Sequence, residues 1–166
     1  MIVFDASTLI LLAKINMLDL FFSHVQDGAC IPKKVRSEVT AEESEETPVI
    51  IRCIEDGKIT VAKIKNATLA QKLSDDFNID AGEAEALALA IETNASIVAT
   101  DDRNAIRACK VLKLDFITAV AVLIRAVEKG LIEKEEGLAR LHKLQSVGRY
   151  SKAIIENAEQ QIQGGR

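Results

Sequence analysis

Along the chain, short apolar runs alternate with longer stretches in which apolar residues recur at helical spacing. The runs fall at Ile2 to Phe4, Ala29 to Ile31, Ile59 to Val61, Ile97 to Ala99 and Phe116 to Thr118. Strands that alternate with helices in this way predict an α/β fold built on a parallel sheet. The helices between them carry recognisable punctuation. Pro32 opens PKKVRSEV, Thr47 and Pro48 open VIIRCIED with Gly57 as its stop, and Asn66 opens ATLAQKLSDDF. EAEALALAIET is composed of strong helix formers, with Asp80 and Gly82 at its start. DRNAIRACKVLK follows the fourth run, AVAVLIRAVEK stops at Gly130, and two amphipathic helices are expected from Glu133 to Leu144 and from Ser151 to Gln163. The acidic run from Glu42 to Glu46 reads most simply as a solvated loop between two helices.

Composition narrows the class of protein. The chain has 166 residues, 48% hydrophobic and 28% charged, which is ordinary for one globular domain. A chain of this length buries roughly 70% of the surface its unfolded form exposes, so it needs no disulfide or structural metal. Cys30, Cys53 and Cys109 form no CxxC pair and fit small core positions of a protein in a reducing cytosol. With only His24 and His142 besides these, a zinc site is not expected. The longest apolar stretches are shorter than the ~18 residues of a membrane span, and Asp5 stands where a signal peptide carries basic charge. A cytoplasmic protein without a membrane partner is expected. The net charge of -4 argues against bulk attraction of nucleic acid but leaves room for a local basic patch.

In open parallel sheets ligands bind beyond the carboxyl ends of the strands, so the residues just after each strand are the ones to inspect. The first strand runs into Asp5 and the fourth into Asp101 and Asp102. Asp also caps helices, so either position could serve the following helix alone. Glu38 lies on the helix after strand two, between the core positions Val35 and Val39. Glu83 lies in the first turn of the helix feeding strand four, where the macrodipole favours an acid in any protein. Together the carboxylates change the picture: at ~4 Å and an effective dielectric of ~20, each like-charge pair costs about 4 kcal/mol. A hard divalent cation such as Mg²⁺ or Mn²⁺ would compensate, and metal-assisted phosphodiester hydrolysis is the chemistry implied.

The segments IVFDAST, IPKKVRSEV and GEAEALALAIETNASIVATDDRNAIR, with the strand and helix near Phe116, resemble a PIN domain, the nuclease fold of VapC-type toxins and several RNA-processing enzymes. The resemblance runs from Met1 to about Gly130. It implies a three-layer, Rossmann-like sheet of about five parallel strands with helices on both faces, residues 1–130 forming the nuclease domain and residues 131–166 a C-terminal helical extension packed on it. It further implies Mg²⁺- or Mn²⁺-dependent cleavage of single-stranded RNA, a toxin role with an antitoxin partner, and a homodimer. Asp5, Glu38, Glu83 and Asp102 match the family's acidic positions as catalytic residues and metal ligands; Ser7 matches the hydroxyl residue after the first Asp, and Thr100 the threonine of TxD. Two points stay open: Asp101 competes with Asp102 as metal ligand, and Glu85 is a second candidate for the third acid.

A site this acidic needs cations to hold an RNA backbone. Arg103, Arg107 and Lys110 share one helical face and are the candidates, with a solvated stripe as the alternative. Lys33, Lys34 and Arg36 precede Glu38 and could line the opposite rim. Arg149 and Tyr150, ahead of the last helix, most simply pack and cap there; stacking on a base is the alternative. The apolar stripes beyond Gly130 pack on the chain's own core by default, or seat a partner. A haloacid-dehalogenase-type phosphatase needs a second Asp where Ser7 stands, and a receiver domain needs an acidic pair before its phosphoacceptor. The rival that survives is a catalytically silent PIN-like module that binds RNA or protein.

Overall fold

The computed structural model describes residues 1–41 and 43–164. Glu42, at the head of the acidic run, and Gly165 and Arg166, at the end of the extension, lie outside the described residues. The elements follow one another as β1 (Ile2–Phe4), α1 (Ala6–Lys14), α2 (Leu18–His24), β2 (Ala29–Pro32), α3 (Lys33–Thr40), α4 (Thr47–Glu55), β3 (Ile59–Ala62), α5 (Ala67–Phe77) and α6 (Ala81–Thr93). They continue as β4 (Ile97–Ala99), α7 (Arg103–Leu112), β5 (Phe116–Ile117), α8 (Ala119–Glu128), α9 (Lys134–Val147) and α10 (Lys152–Ile162).

All pairings in the sheet are parallel, and the strand order is β3-β2-β1-β4-β5. Val3 pairs with Cys30 on one side and Val98 on the other. Because side chains alternate along a strand, Ile2 and Phe4 join one apolar core while Val3, Cys30 and Val98 join a second on the opposite face. The first core is closed by α1 to α4 and α8 to α10, the second by α5 to α7. This is a three-layer α/β architecture. The chain builds outward from β1 in one direction through β2 and β3, then returns to add β4 and β5 on the other side. The switch point, where such folds open a crevice, therefore lies between the carboxyl ends of β1 and β4.

Leu141 and Leu144 of α9 and Ile155, Ala158 and Ile162 of α10 belong to the first core, so the last two helices share a core with the sheet. Gly137 is buried where a Cβ would stand 2.4 Å from a Val127 methyl, which lets α9 approach α8 closely. Two local features differ from the sequence pattern. Thr118 is not the end of β5 but the N-cap of α8, its hydroxyl accepting from the Ala121 N–H at 3.1 Å. The segment Leu18–His24 forms α2, a helix without a side-chain cap, held instead by Phe21 and Phe22 packing on Phe4. In the acidic loop, Glu46 pairs with Lys14 at 3.6 Å, while Glu43 and Glu45 are exposed. Among the described residues no single helix is long and apolar enough to cross a membrane.

Candidate metal centre at the carboxyl edge of the sheet

Asp5 leaves β1 at the switch point and is 2% exposed. Its backbone N–H donates to the Ala99 carbonyl of β4. Its Oδ1 caps α1, accepting from the Thr8 N–H at 2.8 Å and the Ser7 hydroxyl at 3.2 Å. The other oxygen, Oδ2, is buried and has no hydrogen-bond partner. One oxygen therefore serves the helix and the other is left over. An unpartnered buried carboxylate oxygen costs several kcal/mol unless something neutralises it. Burial accordingly pushes the Asp5 carboxyl up to about 6, with the nearby hydroxyls of Thr100 and Thr8 opposing only in part and Asp101 adding to the rise.

Around Asp5 stand the other acids. Asp102 caps α7 through Oδ1, which accepts from the Ala105 N–H at 2.8 Å, and its own N–H donates to the buried Thr100 hydroxyl at 3.3 Å. Glu83 and Asp80 form a reciprocal cap at the start of α6, with Asp80 Oδ1 accepting from the Glu83 N–H and Glu83 Oε2 from the Asp80 N–H. The Glu83 carboxyl is pushed up to about 7, first by desolvation and then by the charges of Asp80, Asp102 and Asp5. Glu38 reaches the same place from α3. A Cβ at Gly82 would lie 2.3 Å from its Oε2, so the first turn of α6 admits the Glu38 carboxylate only because residue 82 has no side chain. Burial raises Glu38 too, reinforced by Asp80, Asp5 and Glu85 and relieved by Lys34.

Asp5, Glu38, Glu83 and Asp102 are therefore brought to one electrostatically coupled crevice. Asp80 joins them as a neighbour whose sequence signal was that of a helix cap alone, and Glu85 faces Glu38 from the same helix. Asp101 is placed differently. Its Oδ2 accepts from the Thr8 hydroxyl at 2.7 Å, its Oδ1 from the Tyr150 hydroxyl at 2.8 Å, and both from the Ala119 N–H at the start of α8. With three donors on it, Asp101 ties α1, α8 and the loop before α10 together, and each of its oxygens already accepts a hydrogen bond. Sequence reasoning assigned no role to the Thr8 hydroxyl, and it read Tyr150 as packing and capping before the last helix without its hydrogen bond to Asp101. The N3 position of Thr8 announces its backbone bond to Asp5, but nothing local announces where its hydroxyl goes.

An all-oxygen donor set with one orphaned buried oxygen suits a hard divalent cation and offers nothing to a softer one. Among the described residues no three acids draw close enough to enclose an ion by themselves. Cysteine chemistry has no support: Cys30, Cys53 and Cys109 are buried, and burial pushes the Cys109 thiol up to about 11. Of the basic stripe on α7, Arg103 is exposed beside Asp102, whereas Arg107 reaches the Phe77 carbonyl at 3.5 Å and Lys110 sits 6.0 Å from the Phe116 ring centre.

No curated protein matches the sequence. A family model described as DUF3368, PIN domain, matches residues 1–163, a span that takes in the sheet, the acidic crevice and the two last helices. The chain belongs to the PIN-domain family, whose members are generally nucleases that typically use divalent metals.

Proposed function

We propose that the protein is an endoribonuclease that hydrolyses phosphodiester bonds of single-stranded RNA with Mg²⁺ or Mn²⁺ bound at the crevice. The observation that carries this reading is the buried, unpartnered Oδ2 of Asp5, an aspartate whose charge is felt by both Glu38 and Glu83. A divalent ion bound there supplies charge neutralisation at the phosphate and acidifies water at neutral pH. Asp5 would hold it through Oδ2, with Asp102, Glu38 and Glu83 completing the site directly or through water.

The chain's own residues fix the donors. The Thr8 N–H and Ser7 hydroxyl orient Asp5, the Ala105 N–H orients Asp102, and Gly82 leaves room for Glu38. Lys34 acts on Glu38 and Arg103 follows Asp102 in the chain, so their charge would offset the repulsion between the acids and an incoming phosphate. The toxin role implied by the resemblance forms part of the proposal: induced expression in cells should arrest growth, and the Asp5→Asn form should not.

Purified protein should cleave single-stranded RNA with Mn²⁺ or Mg²⁺, stop on chelation and resume when metal is restored. Asp5→Asn should lower the rate roughly a thousandfold, as expected for losing several kcal/mol of metal-centred stabilisation. Cleavage by that variant at the wild-type rate would overturn the mechanism. The second reading, a silent PIN module that binds RNA or protein, draws on the absence of a three-carboxylate cluster among the described residues. It predicts no metal-dependent cleavage in the same assay.

A further inference from the structure

A groove of about 750 Å³ runs between α8 and α10 and is closed at one end by the start of α7 and the loop before α10. Asp101 and Arg103, the chain neighbours of Asp102 on either side, both line it, so the groove adjoins the segment that carries Asp102. Three arginines line it as well, Arg103, Arg125 and Arg149. All three residues are exposed, and among the described residues none of them makes an ion pair or a side-chain hydrogen bond. Arg140 elsewhere shows the usual alternative, with its guanidinium held by Glu136 and the Asn16 carbonyl. The groove's apolar surface comes from residues such as Ile124 and Ile154, the latter 48% exposed in spite of its size. Two acids share the lining. Asp101 is occupied by its three donors, and Glu128 lies toward the last turn of α8, away from the α7 end.

We propose that this groove is a binding track for the segment of a single-stranded polynucleotide that flanks the bond held at the acids. The proposal rests on the nuclease reading above and adds to it a place and a set of residues. A polyanion approaching a crowd of carboxylates is repelled, so it must be held nearby by cations that are not already paired. Guanidinium groups meet phosphate oxygens in a two-pronged geometry. Exposed aliphatic surface between them gives bases a contact that does not depend on sequence. An acidic peptide would satisfy the arginines equally, but the groove's position beside the segment that carries Asp102 favours the nucleic acid strand.

The test measures binding of labelled RNA to the whole protein in EDTA, where no cleavage occurs, using a dodecanucleotide and a tetranucleotide. Arg125→Glu/Arg149→Glu is compared with Arg52→Glu/Lys143→Glu, the same change of charge outside the groove. The groove variant should bind the dodecanucleotide about tenfold more weakly, and the slope of log affinity against log salt should shrink by about 1.4, two contacts at roughly 0.7 each. The tetranucleotide should show a smaller loss, and the outside variant should bind like wild type. Should the double variant melt before the assay temperature, the single Arg149→Gln change in the exposed loop gives the same reading with half the slope change. Equal dodecanucleotide binding by the groove and outside variants would overturn the proposal. So would a glutamate-rich peptide that competes as well as RNA of equal charge, since the groove would then belong to an acidic protein segment. Wild-type cleavage with Mn²⁺ is measured in parallel. Its absence, with groove-dependent binding intact, sinks the nuclease reading alone, whereas cleavage with groove-independent binding sinks only the track.

Discussion

Asp5 and Asp101 lie beyond the ends of two adjacent strands, the first buried and the second half-buried, and both are joined to Thr8, yet they differ in how their oxygens are satisfied. Asp101 receives two hydroxyls and a helix N-terminal N–H, and it sits where the α8 dipole favours negative charge. Burial still raises its carboxyl above the ordinary value, with those donors pulling against it. Asp5 has one oxygen served and one abandoned. The protein has the means to satisfy a buried carboxylate at this edge and uses them at one aspartate only. The donors on Asp101 hold elements together, whereas the oxygen that Asp5 leaves unserved is the one the proposed metal would neutralise.

The largest effect expected from this contrast is a difference in sign between two isosteric variants in metal-free protein. The Asp5 carboxyl stands at about 6 in the fold against an ordinary 3.8. A raised folded value favours the protonated form, so the associated stability is fully present below pH ~3.8 and lost as pH rises through about 6. The loss approaches at most about 3 kcal/mol. Glu83, at about 7 against 4.5, extends the same loss toward neutrality, weakened by solvent because it is only half buried. Asp5→Asn keeps the cap and removes the charge, so it should raise the melting temperature at pH 7 in EDTA and flatten the fall between pH 4 and 7. Asp101→Asn replaces an acceptor by a donor facing hydroxyls that donate, and should lower the melting temperature through a loss of roughly 1 kcal/mol of stability. Saturating Mn²⁺ should stabilise wild type by about 2.7 kcal/mol at a hundredfold excess over its dissociation constant, and Asp5→Asn far less. Melting curves across this pH range decide the matter, and shifts of the same sign in both variants would erase the distinction drawn between the two aspartates.

A smaller effect separates activity from stability at Gly82. Placing a methyl there forces the Glu38 carboxylate, the flexible end of its side chain, out of the first turn of α6. Because alanine suits a helix interior better than glycine by roughly 0.5–1 kcal/mol, Gly82→Ala should melt no lower than wild type while its cleavage rate falls about tenfold or more. Wild-type cleavage by this variant would mean that Glu38 contributes nothing from its present position.

How much of this was legible beforehand follows from how local each signal is. The five strands were readable because a sheet covered on both faces leaves only apolar residues in its strands, and β1 and β2 are buried throughout. The acids after β1 and β4 were readable from their places at strand ends. By contrast, α2 has no cap to announce it and exists because Phe21 and Phe22 find Phe4. Asp80 declared itself as a cap, and its charge on Glu38 emerges only when α3 and α6 meet. What sets Asp101 apart from Asp102, its donors from α1, α8 and the loop before α10, was equally hidden.

The smallest expected effect probes the most distant of those donors. Gly148 lies beneath the Tyr150 ring, where a Cβ would come within 2.5 Å of the Tyr150 Cε2 and 2.9 Å of the Leu144 carbonyl oxygen, so the turn after α9 is shaped to carry the ring toward the sheet. The hydroxyl then meets Asp101, which in turn meets Thr8, whose N–H holds Asp5. Tyr150→Phe keeps the ring and its packing and removes one hydrogen bond to a buried carboxylate, which should cost about 1–2 kcal/mol. Because Asp101 retains Thr8 and Ala119, the fold should survive, and any change at Asp5 should reach it only through Thr8. The expected pattern is a lower melting temperature with Mn²⁺ affinity weakened by at most about tenfold, read by calorimetric titration on the intact chain. An unchanged melting temperature would show that Asp101 is held without Tyr150. Loss of Mn²⁺ binding as complete as that of Asp5→Asn would place Asp101 among the metal ligands instead of behind them.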